Sequence, residues 1–158
     1  MRAVNSDPGW SLRPATAADV EPLAELRAQV MRADLERLGR YDDHRVRQRL
    51  RDNFSPRHTT VVLVDHALAG CVTVRPDDRG GRYLEYFYLR PQHQGRGLGT
   101  AVLRHVLAEA DAAGEPVRLQ ALQGSASRRL YERHGFTAER EDPIDVFMHR
   151  PAPSAPTP

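Results

Sequence analysis

Lysine is missing from this chain: all 23 of its basic side chains are arginine. That absence removes whole enzyme classes, because a Walker-type phosphate loop, a protein kinase and a pyridoxal-phosphate enzyme each need a lysine. Cysteine is nearly missing. A lone Cys71 cannot pair within the chain, so no disulfide framework holds it and a reducing, cytoplasmic setting is expected. No apolar run is long: Val61–Val64 falls far short of the roughly 20 residues that span a bilayer, and Met1–Pro8 has no apolar core of a secretory signal. No membrane partner is expected. An excess of one charge is lacking too, with 23 basic side chains against 21 acidic ones and a net charge of +2. The arginine-rich stretch from Arg27 to Arg57 has Asp34, Glu36, Asp42, Asp43 and Asp52 mixed in at helical spacings, without aromatic interleaving. It therefore reads as a solvated, ion-paired face, and no nucleic-acid partner is expected. Finally, the seven histidines form no H-E-x-x-H or Cys/His cluster, so no metal is expected.

What is present fits one domain over residues 1–150, followed by a proline-rich tail at 151–158 expected to be disordered. Ser11–Arg13 is a candidate first strand. Thr16 and Asp19 form a variant capping box, after which Val20, Leu23, Leu26 and Val30 recur at spacings of three and four, so a helix is predicted over 17–31. Val46, Leu50 and Phe54 predict a second, from Asp42 to before Pro56. The period then changes. Thr60–Val64 and Cys71–Val74 are β-branched runs joined by Asp65–Gly70, and Asp77–Gly81 turns the chain into a third strand over Tyr83–Leu89. A helix closed by Gly114 and Pro116 follows, then a strand at Val117–Leu122. A short helix comes next, with Ser125 as its expected cap and His134–Gly135 at its end, and a last strand over Ile144–Met148. The order is that of a mixed α/β (α+β) fold, a sheet flanked by helices.

The chemistry concentrates between the third strand and the helix after it. Gly95, Gly97 and Gly99 remove the Cβ atoms that would hold an anion off the backbone, and a helix opening near Leu98 offers unpaired N–H groups with a partial charge of about +0.5. Such a loop suits a pyrophosphate. It is not the dinucleotide fingerprint: the spacing is G-x-G-x-G, Thr100 stands where a further glycine would fall, and the loop follows an antiparallel meander past mid-chain.

Gln94-Gly95-Arg96-Gly97-Leu98-Gly99 resembles the Q/R-x-x-G-x-G/A motif of the GNAT family of N-acetyltransferases. The resemblance gains specificity from the strand ending Phe87-Tyr88-Leu89-Arg90-Pro91 before it. It gains more from Leu130-Tyr131-Glu132-Arg133-His134-Gly135-Phe136 after it, which is similar to the family's L-Y-x-x-x-G-F signature. It implies a mostly antiparallel sheet that splays between its fourth and fifth strands, with about four helices and acetyl-CoA in the gap. It also implies that Phe87, Tyr88 and Leu89 meet the acetyl and pantetheine part through backbone atoms, and that Gly95, Arg96, Gly97, Leu98, Gly99 and Thr100 hold the pyrophosphate.

The implied reaction is direct attack of a primary amine, on a small molecule or a protein, upon the thioester, with a backbone N–H near Leu89 stabilising the oxyanion. An amine of pKa near 10.4 is neutral in only about one molecule per few thousand at pH 7, and a departing thiolate leaves better with a proton. Glu85 is the candidate base, since strand alternation sets it on the face of Phe87 and Leu89; the competing role is a carboxylate on the solvent face or paired with arginine. Tyr131 is the candidate acid, by match to the family's tyrosine; the competing role is a core residue beside Leu130 and Phe136. The chain departs from the family at Gly124, where asparagine is common, and Ser125 or Ser127 is the possible substitute. Cys71, inside an apolar strand, reads as inert. A non-catalytic acyl-CoA-binding or regulatory module is the alternative, and a homodimer is left open.

Overall fold

The computed structural model describes residues 5–7 and 9–154. Residues 1–4 and 8 and the end of the proline-rich tail, 155–158, lie outside the described residues; Pro151–Ser154 have no regular structure. Among the described residues eight strands form one sheet in the order β1-β2-β3-β4-β5-β6-β8-β7, with four α-helices. The strands are β1 (Asn5–Asp7), β2 (Trp10–Pro14), β3 (Thr59–Val64), β4 (Ala67–Pro76), β5 (Arg82–Leu89), β6 (Val117–Leu122), β7 (Thr137–Glu141) and β8 (Asp145–Arg150). The short β1 shifts the count by one, so the fourth and fifth strands of the expected sheet are β5 and β6. Two compact units share these elements, Met1–Thr73 with Tyr86–Arg96, and Val74–Glu85 with Gly97–Pro158. Both β4 and β5 pass from one unit into the other.

In the first unit β1 to β4 pair antiparallel in succession. The predicted first helix is a 3-10 turn, Ala17–Asp19, running into α1 (Val20–Arg37), six residues longer than the apolar periodicity alone indicates. Its polar last turns carry Arg32–Glu36 and Arg37–Asp34 ion pairs at helical spacing. Helix α2 (Asp43–Asn53) opens where Asp42 accepts from the N–H groups of His44 at 3.1 Å and Arg45 at 2.7 Å, and it stops as Phe54 turns extended before Pro56. Arg47 and Arg51 reach Glu25 and Glu21 on α1, at 2.7 and 2.8 Å. The arginine-rich stretch is thus an ion-paired surface. Beneath it Leu23, Ala24, Leu26, Leu50 and Cys71 form a buried cluster against which Tyr86 and Tyr88 pack. Burial of that apolar stripe, more than the exposed ion pairs, joins the helices to the sheet.

The β3–β4 hairpin is tighter than the six residues that sequence assigns to it. Val64 pairs with Ala67, leaving Asp65 and His66 as a two-residue turn, both at positive φ (49° and 66°). Both central residues of a type I′ turn take this conformation, which glycine adopts without strain and exposed His66 does not. His66→Gly is expected to raise stability by about 0.5–1 kcal/mol, the left-handed penalty relieved less the entropy glycine gains when unfolded. Denaturant unfolding checks this: an unchanged or lower midpoint is the contrary result.

In the second unit the start of β5 runs parallel to β6, from Arg82 opposite Val117 to Leu84 opposite Leu119. Gly81 permits this approach, since a Cβ there would sit 2.5 Å from the Pro116 carbonyl oxygen. Helix α3 (Leu98–Ala112) buries Val102, Leu103, Val106, Leu107 and Ala110, and ends at Gly114 (φ 67°) as expected. Helix α4 (Ala126–Arg133) is closed by Gly135 (φ 92°). The chain then forms β7, which the sequence does not announce: Thr-Ala-Glu-Arg-Glu is exposed throughout and alternates nothing. It pairs with β8, which lies between it and β6. A bidentate bridge from Arg150 to Asp111, 2.7 and 3.0 Å, ties the end of β8 to α3.

Candidate active site

The glycine-rich segment divides between the units, with Gly95 and Arg96 ending a stretch of the first and Gly97–Thr100 opening α3 in the second. Gly97 is the N-cap of α3 at φ 84°, with no side-chain cap and no acidic residue in the first turn. The first backbone bond of the helix runs from the Ala101 N–H to the Gly97 carbonyl at 3.0 Å. The amides of Leu98, Gly99 and Thr100 therefore lack intrahelical acceptors. Helix α2, capped by its own Asp42, shows the contrast. A Cβ on Gly95 (φ 74°) or on Gly97 would meet nothing within 4 Å, so their backbone conformation and not crowding calls for glycine.

Ahead of these glycines, in the first unit, Pro91–His93 make a 3-10 turn, and the Gln94 side-chain amide donates to the Leu89 carbonyl at 2.9 Å. The first residue of the motif is a strut between loop and strand. Phe87 is half-buried and Leu89 buried. Tyr88 accepts a hydrogen bond from Arg27 Nε at 3.0 Å and donates to Met31 Sδ at 3.2 Å, and burial pushes its phenol up in pKa. Within β5, Tyr86 stands at φ 49°, which interrupts the extended backbone. The Cys71 thiol donates to the Tyr86 carbonyl at 3.1 Å, and burial pushes that thiol up to about 12. Cys71 is thus the inert cysteine the sequence indicates.

In the second unit Glu85 is paired with Arg75. Between Glu85 and Phe87 the backbone turns left-handed at Tyr86, which interrupts the regular alternation used to choose Glu85. Tyr131 on α4 is 6% exposed, its ring edge-on to Phe136 with centroids 5.6 Å apart. Gly124 takes φ 74°, a conformation that asparagine tolerates better than other side chains. Ser125 holds the N-cap position of α4 but makes no cap hydrogen bond, contrary to expectation. The residue is buried, and its hydroxyl lies 3.0 Å from that of Ser127, which competes for the same oxygen.

Sequence reasoning passed over Arg27, Arg75 and Gly70. For Arg27 a signal exists: Leu23, Leu26, Arg27 and Val30 occupy i, i+3, i+4 and i+7, so an arginine stands in the buried stripe of α1. Among the described residues no helix is long and apolar enough to cross a membrane, and no group of three or more acidic, histidine or cysteine residues is placed to hold a metal.

The profile of the acetyltransferase (GNAT) family matches residues 23–136. The L-methionine sulfoximine/L-methionine sulfone acetyltransferase of Salmonella typhimurium is 38% identical over 58 residues, 35% of this chain and 34% of that protein. The chain thus spans about a third of the length of that curated relative. Among solved structures, the PaiA N-acetyltransferase of Thermoplasma acidophilum in complex with coenzyme A is similar with TM-score 0.73 and 19% identity, over 90% of this chain and 98% of that one. The ribosomal-protein-S18-alanine N-acetyltransferase of Escherichia coli gives TM-score 0.71 and 16% identity over 93% and 96%. At such identities the overlays establish the fold, and with the family profile covering most of its length, this chain belongs to the GNAT acetyltransferase family.

Proposed function

We propose that the chain, as a single N-acetyltransferase domain over residues 1–150 acting in the cytoplasm, transfers an acetyl group from acetyl-CoA to a primary amine on a small molecule or protein. The observation that carries this reading is the bare N-terminus of α3, with Gly97 at its cap and three amides without intrahelical acceptors, which suits a diphosphate. Gly95, Arg96, Gly97, Leu98, Gly99 and Thr100 hold the pyrophosphate. Phe87, Tyr88 and Leu89 meet the acetyl and pantetheine part through their backbone. With coenzyme A in the relative from Thermoplasma acidophilum, the donor is an acyl-CoA by analogy.

The amine attacks the thioester carbon directly, the tetrahedral oxyanion rests on a backbone N–H near Leu89, and the C–S bond breaks to give the amide and CoA thiol. Bringing a lysine-like amine to its neutral form at pH 7 costs about 4.6 kcal/mol, which a base or desolvation must offset. Glu85, drawn to Arg75, is the proposed base, acting through water, and Tyr131 the proposed acid toward the departing sulfur. Incubation with acetyl-CoA and a panel of primary amines, read by thiol release, tests the reading. CoA binding with no acceptor-dependent release from any amine would leave the non-catalytic binding module standing instead. Tyr131→Phe is expected to lower kcat by about 100-fold and to flatten the alkaline limb of its pH profile. An unchanged rate and profile would remove Tyr131 from the chemistry, and Glu85→Gln gives the corresponding test on the acidic limb.

A further inference from the structure

Arg27 is a nearly buried cation, 7% exposed, with no carboxylate beside it among the described residues. Its known partners are all neutral: Nε donates to the Tyr88 hydroxyl, Nη1 donates to the Val46 carbonyl, and the guanidinium lies over the Tyr86 ring, 5.8 Å from its centroid. This is unlike the other arginines of α1 and α2 that face carboxylates, such as Arg47 with Glu25 and Arg51 with Glu21. A guanidinium has five N–H donors in a planar fork, and two are spent here. Nη2 donates to no described protein atom, yet it is not among the polar atoms sealed from solvent without a partner, so it remains reachable. A buried charge is ordinarily matched by an opposite one, because desolvation costs several kcal/mol per ion. A chain that keeps an arginine in the apolar stripe of a helix, and matches it only with a phenol, a carbonyl and a ring, leaves one positive charge for something else to meet.

We infer that Arg27 anchors a carboxylate of the acceptor, so that the acceptor is a small amine carrying a carboxylate, as a free amino acid does. The inference rests on the acetyl-transfer reading above. Position supports it within the first unit. The hydroxyl that holds Arg27 belongs to Tyr88, whose backbone that reading gives to the acetyl part of the donor. One tyrosine side chain therefore separates the unspent fork from the reacting end, a span suited to a small molecule. The chemistry is a carboxylate in preference to a phosphate, because a single unmatched guanidinium balances one negative charge and its flat fork fits two coplanar oxygens. Half-buried Met31, Tyr86 and Tyr88 add apolar and aromatic surface around it, in which a charge-assisted bond is strengthened.

The test uses the whole chain with acetyl-CoA and three forms of each acceptor: L-amino acids, their methyl esters, and the amines left by removing the carboxyl group. Phosphoethanolamine serves as the phosphate arm. Carboxylates are expected to exceed esters and plain amines in kcat/KM by about 10- to 100-fold, the worth of a charged hydrogen bond, with the difference carried by KM. Arg27→Met should erase that ratio while leaving the KM for acetyl-CoA unchanged. A merely structural Arg27 would lower thermal stability and leave the ratio intact. Should that variant fail to fold, inhibition of the unmodified protein decides: des-amino carboxylates are expected to compete with the acceptor and the matching alcohols not to. Equal turnover of carboxylates and esters, or preference for phosphoethanolamine, overturns the inference while acetyl transfer stands. No turnover of any amine fails the underlying reading instead.

Discussion

Gly99→Asp is expected to weaken acetyl-CoA binding by about 100-fold while the protein unfolds at the same temperature or slightly higher, two effects that move in opposite directions for one reason. Gly99 is the second residue of α3 and is not in the left-handed region, so an L side chain fits its backbone. A carboxylate in a helix's first turn is favourable by about 0.3–1 kcal/mol, and glycine in a helix is about 1 kcal/mol worse than alanine. Backbone conformation and helix propensity therefore both favour the carboxylate. Binding does not. At an effective dielectric of about 20, two like charges about 5 Å apart repel by about 3 kcal/mol, which is roughly a hundredfold in affinity. The same amides that welcome the new carboxylate are those assigned to the diphosphate, and both cannot occupy them. Calorimetric titration with acetyl-CoA alongside thermal unfolding reads both halves. Undiminished affinity in a folded Gly99→Asp protein would place the diphosphate elsewhere.

The helix that carries this test was legible from its sequence, since Leu98, Val102, Leu103, Val106 and Ala110 keep a helical period and Gly114 stops it. The glycines before it were legible for a related reason, because residues free of Cβ in a short loop have few uses besides close approach and positive φ. Strand β7 was not, and the cause is physical: an edge strand with both faces in water has no apolar face to alternate, so Thr137–Glu141 reads as loop. The tight Asp65-His66 turn was missed because neither residue is the glycine its conformation favours. Tyr86 at φ 49° is the same kind of miss with a larger consequence, since alternation along β5 was the ground for choosing Glu85. The Arg75 partner of Glu85 comes from the neighbouring β4 by a pairing that no local pattern announces. Elements written in contiguous residues were readable, and contacts assembled by packing were not.

Gly70→Ala tests the backbone rather than the loop, and here folding and binding are expected to fail together. A Cβ at Gly70 would lie 2.2 Å from the Tyr88 carbonyl oxygen and 3.1 Å from Leu89 Cα, both backbone atoms of β5. Side chains yield by changing rotamer, but a strand backbone yields only by moving as a strand. Gly70 has no positive φ, so the expected loss is steric alone. It is about 3 kcal/mol, or a fall of roughly 10 °C in Tm for a chain of this size. Gly114→Ala is the counterpart: its Cβ would meet nothing within 4 Å, and φ 67° is the whole obstacle, worth about 1–2 kcal/mol. Acetyl-CoA separates the pair. The atoms that the methyl group added at Gly70 would displace belong to Tyr88 and Leu89, which are assigned to the acetyl and pantetheine part, so the folded fraction of Gly70→Ala should show a raised KM for acetyl-CoA. Gly114→Ala, at the far end of α3 from its first turn, should leave that KM unchanged. A Gly70→Ala protein that is destabilised yet binds acetyl-CoA normally would confine this strand to architecture. One that is not destabilised would mean that β4 and β5 do not approach as closely as Gly70 allows.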